Sequence, residues 1–419
     1  MTNNNFNPNI KQINGPTNIV RMEGRVHGIK KIIYLFMDWH IPLHEQSECN
    51  NLFSKDIDKY LIENFYEISK KSSAMYDFFM EIRPTEELVE YQPTDSKNRR
   101  KDMYIRQVMK LFRKIFKYDK EKNKVDVPEL FSNIRLHYLD IRDYLYIHYS
   151  YKLRDISYIL NQISFIGDLN LGAIEDIISI YTTIEAQLQF ISDALKSKEY
   201  IKPAEKPRII KKKGLEEIDE EMIKALSYKI RNRYNDEEIK NILNKNLDFF
   251  IDNNLTPLIG KINNAIDILK KYTTSLPPNF SHLLTRDERL PGIYTYGPSE
   301  FLLRDIFMEL INITSYIYLE TTTTFARITD IYLLRRFLDK DYITNAIVFT
   351  GALHSETYIY ILVRDFEFDI THVSYSAIKD LNELKKEIKK VPIEELSRLF
   401  SPLELYQCSD ITHFPDNFL

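Results

Sequence analysis

The sequence predicts an α/β protein. A mainly parallel sheet is formed by the N- and C-terminal thirds, and a large helical insertion lies between them. Three observations lead there. The first third alternates apolar runs with amphipathic helical segments in the order β-α-β-α-β, which right-handed crossovers turn into a parallel sheet. The middle carries long helical stripes and no strand pattern. The last third returns to alternation. The expected divisions are a disordered tail over 1–18, the first part of the α/β domain over 19–150, the insertion over 151–320, and the second part of the α/β domain over 321–419.

Each element has its own reason. Residues 1–18 are asparagine-rich, with neither a basic nor an apolar leader segment, and read as a short disordered tail. Residues 31–37 form an apolar run of buried-strand type. Ile57, Tyr60, Leu61, Phe65 and Ile68 then recur at helical spacing. A second strand is expected over 75–80 and a second amphipathic helix over 101–116, with Ile105, Val108, Met109, Phe112 and Phe116 on one face. Residues 133–140 give a third strand. Ile174, Ile177, Ile178, Tyr181, Leu188, Ile191 and Leu195 keep one stripe through the middle, and residues 202–214, with two prolines and a lysine run, read as a linker. Helices are expected again over 215–273, 299–319 and 328–338. A strand over 346–351, a helix over 355–363, a strand over 368–374 and a charged helix over 381–390 complete the chain.

Composition narrows the function classes. With 419 residues, 44% of them hydrophobic, the chain can bury a large core. A net charge of −4 gives no whole-chain reason to expect nucleic acid or an anionic membrane as partner. No apolar run approaches the about 20 residues that span a bilayer. Cys49 and Cys408 are the only cysteines. That count excludes a cysteine-rich zinc site and is read as a reducing, cytoplasmic setting.

The candidate chemistry lies where apolar runs stop. In open α/β sheets, ligands sit beyond the carboxyl ends of the strands. The first run ends in Asp38-Trp39-His40, with His44, Glu45 and Glu48 following. Imidazole and carboxylate are ligands for zinc and manganese, although a lone strand-end histidine is more often a surface residue. Glu81 ends the second run, where it can act as a general base or merely pair with Arg83. Asp140 and Arg142 alternate onto one face after the third run and are candidates to orient substrate, or form a structural ion pair. The last run passes into Gly351-Ala352-Leu353-His354. There His354 would meet a helix N-terminus and be pushed toward its neutral form. Arg327 and Asp330, three apart, share a helical face and join the substrate-binding candidates.

The order of these motifs resembles the Tiki/TraB superfamily, which takes in erythromycin esterases and ChaN-like haem-binding proteins. The match rests on a strand ending in His40, a strand ending in Glu81, and a late strand running into Gly351-x-x-His354. It covers roughly residues 30–145 and 325–375. It implies an α/β fold with helical insertions and a cleft around His40, Glu81 and His354 as catalytic residues. It departs from the family's first motif, since Met37 stands where Gly-x-x-His has its glycine. Composition, tail and motif order also resemble proteins of large DNA viruses.

The leading expectation is therefore a hydrolase-like enzyme acting on an ester or peptide bond of a small-molecule or peptide substrate. Either a divalent metal, manganese or zinc, would be held by His40, Glu81, His354 and Asp38, or His40 and His354 with Glu81 would act directly as general acid and base. The alternative is a catalytically inactive protein that keeps the fold and offers its helical insertion to a protein partner. Nucleic-acid binding through the basic stretch 97–124 is not expected, because its aromatic residues fall on the apolar helix face. No Gly-x-Ser-x-Gly, P-loop or Gly-x-Gly-x-x-Gly occurs.

Overall fold

A computed structural model describes residues 9–43, 48–82, 103–119, 124–142, 145, 152–153, 155–162, 168–197, 220–276, 281–283, 285–286, 294–295, 301–404 and 407–418. The chain divides into two compact units. The first comprises residues 1–140, 234–242 and 329–419, and the second 141–233 and 243–328.

The first unit is α/β. It begins with β1 (Gln12–Asn14), β2 (Asn18–Val26) and β3 (Ile29–Asp38). β2 and β3 form a hairpin across His27-Gly28, whose φ angles of 49° and 80° are those of a tight turn matched to strand twist. β4 (Lys55–Asp56) leads into α1 (Ile57–Lys71), followed by β5 (Tyr76–Met80), α2 (Tyr104–Ile115) and β6 (Ile134–Tyr138).

The second unit is helical. It contains α3 (Leu171–Lys196), α4 (Glu220–Asn232), most of α5 (Glu237–Phe250) and α6 (Thr256–Ser275), with α3 packed along α6. The helices expected over 299–319 and 328–338 are one continuous helix, α7 (Phe301–Asp339), whose last residues from Thr329 belong to the first unit. The chain then returns through β7 (Asn345–Gly351), α8 (Ala352–Asp365), β8 (Asp369–Val373), α9 (Leu381–Lys390) and β9 (Cys408–Asp410).

The main sheet has the strand order β8-β2-β3-β7-β5-β6. β3, β7, β5 and β6 run parallel, whereas β8-β2 and β2-β3 are antiparallel. The sheet is thus mixed, which corrects the expectation of a mainly parallel one. The reason is β2: residues 18–26 carry Arg21, Glu23 and Arg25 among their apolar residues and were not expected to pair. Residues 12–14 correct the disordered tail in the same way, since β1 pairs with both β4 and β9.

That pairing also overturns the reading of the cysteines. Asn14 stands opposite Cys408, and its side chain accepts the Cys49 N–H. The two cysteines, 359 residues apart in sequence, are joined as a disulfide. Their number therefore gives no support to a reducing compartment. Among the described residues, no helix is long and apolar enough to cross a membrane.

Both sheet faces are covered. Tyr34, Phe36, Phe78, Met80, Ile134, Leu136, Ile347 and Phe349 pack with α1 and α2 residues in one core. α8 lies against β3 and β7 on the sheet. The in-register neighbours Asp38 and Gly351 bring the ends of β3 and β7 side by side, with β5 next to β7. Three segments distant in sequence so end at one sheet edge.

Candidate active site

β3 ends at Asp38, which is buried. Two residues on, His40 takes a left-handed backbone, φ 54°, a conformation uncommon outside glycine. Asp38 holds it there. Its Oδ2 accepts the His40 backbone N–H at 2.8 Å and faces Nδ1 of the same residue at 2.5 Å. The turned imidazole then presents Nε2 to Glu81 Oε2 at 3.3 Å.

Glu81 follows β5 and is nearly sealed from solvent. Its backbone N–H donates to the Phe349 carbonyl, which continues the ladder with β7 by one step. Its Oε2 also accepts the Gly351 N–H at 2.7 Å, and Oε1 faces His354 Nε2 at 3.0 Å. His354, in the first turn of α8, is held at Nδ1 by Asp330 Oδ1 at 2.6 Å. The result is an unbroken alternation of carboxylate and imidazole: Asp38, His40, Glu81, His354, Asp330. A Cβ at position 351 would lie 3.1 Å from His40 Nε2 and 3.3 Å from Glu81 Oε2, so glycine is what lets the chain pass this close.

The electrostatics follow from the alternation. Burial pulls the His40 imidazole down, but hydrogen bonds to Asp38 and Glu81, with their charges, outweigh it and raise the pKa to about 10. His354 behaves alike. Burial lowers it, the charges of Asp330 and Glu81 and the bonds to both raise it, and it too reaches about 10. The expected push toward a neutral His354 is thus reversed: two carboxylates in contact exceed the partial charge of a helix terminus. Burial raises the Asp330 carboxyl, against the pull of His354 and of bonds from Tyr358 and Thr357.

The structure therefore gathers His40, Glu81, His354, Asp38 and Asp330. Asp330 serves as the holder of His354, where a substrate contact was expected. Asp140 is buried just past β6, its N–H donating to the Ile82 carbonyl at 3.4 Å. Arg142 does not continue the strand alternation with it, because β6 stops at Tyr138, and Arg142 belongs to the other unit. Arg327 also belongs to the helical unit, where it donates to Asn254 at 2.7 Å and lies over the Phe250 ring. His44, Glu45 and Arg83 lie outside the described residues.

The donor set suits a divalent metal in kind, since two imidazoles and a carboxylate are zinc or manganese ligands and Asp38 and Asp330 hold the far nitrogens as outer-shell carboxylates do. Both Nε2 atoms are hydrogen-bonded to Glu81, at 3.0 Å from His354 and 3.3 Å from His40, so an ion would take the place of those two bonds. Asp38 Oδ2 is bonded to His40, while its Oδ1 is buried without a hydrogen-bond partner. Among the described residues, no group of three or more His, Cys, Asp or Glu side chains could hold a metal ion. As described, His40, Glu81, His354 and Asp38 are joined to one another by hydrogen bonds.

Fold and cluster together define an α/β protein with a carboxylate–imidazole array at the carboxyl edge of its sheet. Residues 11–419 match a family described as "Family of unknown function (DUF5847)", and the chain belongs to that family. It is 38% identical over 415 residues to "Uncharacterized protein R706" of Acanthamoeba polyphaga mimivirus, covering 99% of this chain and 98% of that one. It is 34% identical to "Uncharacterized protein R160" of the same virus, with 98% of each chain covered. Its relatives are thus proteins of a large DNA virus. No solved structure matches the chain.

Proposed function

We propose that this protein hydrolyses an ester or peptide bond by acid–base catalysis at the Asp38-His40-Glu81-His354-Asp330 array. The observation that supports the reading is the placement of one buried carboxylate between two imidazoles, each steadied by a further carboxylate. His40 is the accessible member, with 37% of its side chain exposed, while His354 shows 5%. Water attacking the substrate carbonyl gives its proton to the array through neutral His40. The same array returns a proton to the departing alcohol or amine, so protons balance over a turnover. Asp38 and Asp330 orient the rings, as a buried carboxylate does in a hydrolase triad.

The resemblance to the Tiki/TraB and erythromycin-esterase superfamily points the same way, since it assigns His40, Glu81 and His354 to one cleft. The test is turnover of p-nitrophenyl esters and a peptide library, with a chelator present, by wild type and Glu81→Gln. Turnover that survives the chelator and is lost in the variant supports the reading. Equal turnover in both proteins, or none in the wild type, removes it. Turnover that needs added manganese or zinc would restore the metal. An inactive protein that binds a partner through the helical unit is the second reading, favoured by exposed Met308, Tyr316, Tyr318 and Leu319 on α7.

A further inference from the structure

Alternation places Lys31, Ile33, Leu35 and Met37 on one face of β3, and none of the four has exposed surface. Three are apolar and the fourth is an ammonium. A buried charge is costly unless its donors are all used. Lys31 uses its three. Nζ donates to the carbonyls of Phe337 at 3.0 Å, Lys340 at 2.9 Å and Ile343 at 2.7 Å. Burial pulls the ammonium down to about 8, and the charges of Asp341, Asp77 and Asp339 act against that pull, so it remains a cation at neutral pH.

Those carbonyls have a definite place in the fold. Phe337 lies in the last turn of α7, where carbonyls lack an intrahelical partner and a cation complements the helix dipole. Lys340 and Ile343 belong to the short link from α7 to β7, and Thr344 beside them accepts the Ile32 N–H at 2.7 Å. Seven residues before Phe337 on the same helix, Asp330 meets His354 Nδ1 at 2.6 Å. Ile331, Leu333, Leu334 and Phe337 are buried, so this stretch of α7 is packed throughout. The helix rises about 1.5 Å per residue, and a slide of one residue would take Asp330 out of hydrogen-bond range of His354.

We infer that Lys31 is a positioning residue: by holding the end of α7 near the start of β3, it keeps Asp330 on His354. Its bearing on catalysis rests on the hydrolase reading, but the positioning itself is measured without turnover. The measurement is the NMR titration of the His354 imidazole in the full chain carrying isotope-labelled histidine, assigned by its loss in His354→Gln. Because Lys31→Met strips every donor and risks the fold, the main variant is Lys31→Gln, whose amide keeps two.

His354 should titrate near 10 in the wild type. In Lys31→Gln it should lose proton affinity about tenfold, toward the ordinary 6.5, and a folded Lys31→Met should lose more. The sign separates the causes. Removing a positive charge raises a histidine through its field, whereas a weakened Asp330 contact lowers it. His40, held by Asp38, should move less than His354. An unmoved or raised His354 would overturn the inference, and so would equal falls of both histidines. A lowered His354 in a wild type and variant that both lack ester turnover would uphold the positioning and remove the hydrolase reading. Turnover lost in the variant with His354 unmoved would keep that reading and overturn the positioning.

Discussion

β5 and the residue that follows it carry two buried carboxylates with contrasting surroundings. Asp77 is fully buried and meets Arg135 through two contacts, Nε to Oδ1 at 2.8 Å and Nη2 to Oδ2 at 2.6 Å. His137 Nε2 reaches the same carboxylate at 2.6 Å, and its ring stacks on Phe79. Glu81, four residues on, meets two imidazoles and a backbone N–H. The histidines register the difference. Burial lowers His137, and the charges of Arg336 and Arg135 offset the upward pull of Asp77. His40 and His354, each held between two carboxylates, are raised. A carboxylate paired with arginine has a permanent cation and becomes part of the framework. One paired with imidazoles can exchange protons with those partners.

The largest effect expected from that contrast is on activity. Glu81→Gln keeps shape and burial but removes the charge that both rings face, and ester turnover should fall about 10²–10⁴-fold. Its urea midpoint should move less than that of an Asp77 variant. A Glu81→Gln protein that keeps its turnover, or that unfolds outright, would break the distinction.

The stability effect belongs to Asp77. Asp77→Ala leaves Arg135 and His137 without the carboxylate between them, and stability in urea should fall by about 3–5 kcal/mol, the cost of breaking a buried pair. Arg135→Met together with Asp77→Leu should recover much of that loss, because the pair contributes little beyond a well-packed apolar substitute. Failure of the double variant to recover would show that the carboxylate has a role outside the framework.

The site was legible as a set of strand ends, and its wiring was not. His40, Glu81 and His354 could be found because each follows an apolar run, a pattern local in sequence. Asp330 was visible as a helical-face residue, yet its bond to His354 depends on how α7 and α8 meet, which no local pattern encodes. Asp77, Arg135 and His137 escaped notice as a cluster because they sit inside strands, where alternation places them but cannot say which strands adjoin. The strand β2 was missed for a related reason: its charged residues mask an apolar alternation, and His27-Gly28 is a weaker hairpin signal than Asn-Gly. Arg327 and Asp330 do lie one turn apart on α7, the pairing that helical periodicity places on one face.

pH separates the two clusters by sign. His40 and His354 have folded values near 10, above the ordinary 6.5 of an unfolded histidine. Their contribution to stability is complete below about 6.5 and is lost as pH rises through about 10. His137 is lowered, so the unfolded chain binds its proton more readily, and its contribution is complete above about 6.5 and lost on acidification. Urea midpoints at several pH values should show an alkaline decline that Glu81→Gln flattens and an acid decline that His137→Phe flattens. Turnover should rise with pH toward about 10, because the base form of His40 becomes available there. Identical pH profiles for both variants would erase the contrast.

The smallest expected change tests how tightly the array is set. Gly351→Ala adds one carbon 3.1 Å from His40 Nε2 and 3.3 Å from Glu81 Oε2. The alanine backbone is unstrained, since Gly351 has φ −58°. The added methyl must therefore be relieved by a shift of a few tenths of an ångström in the His40–Glu81 contact. A misplacement of about 1 Å can cost about a hundredfold in rate, so about tenfold is the scale expected here. The urea midpoint should stay near the wild-type value, because no buried group loses a partner. A pH–rate profile moved toward lower pH would tie the loss to His40, which owes its raised pKa partly to Glu81. A loss of turnover with an unmoved profile would place the methyl in the path of substrate, and unchanged turnover would show that the 3.3 Å contact does not contribute to the rate.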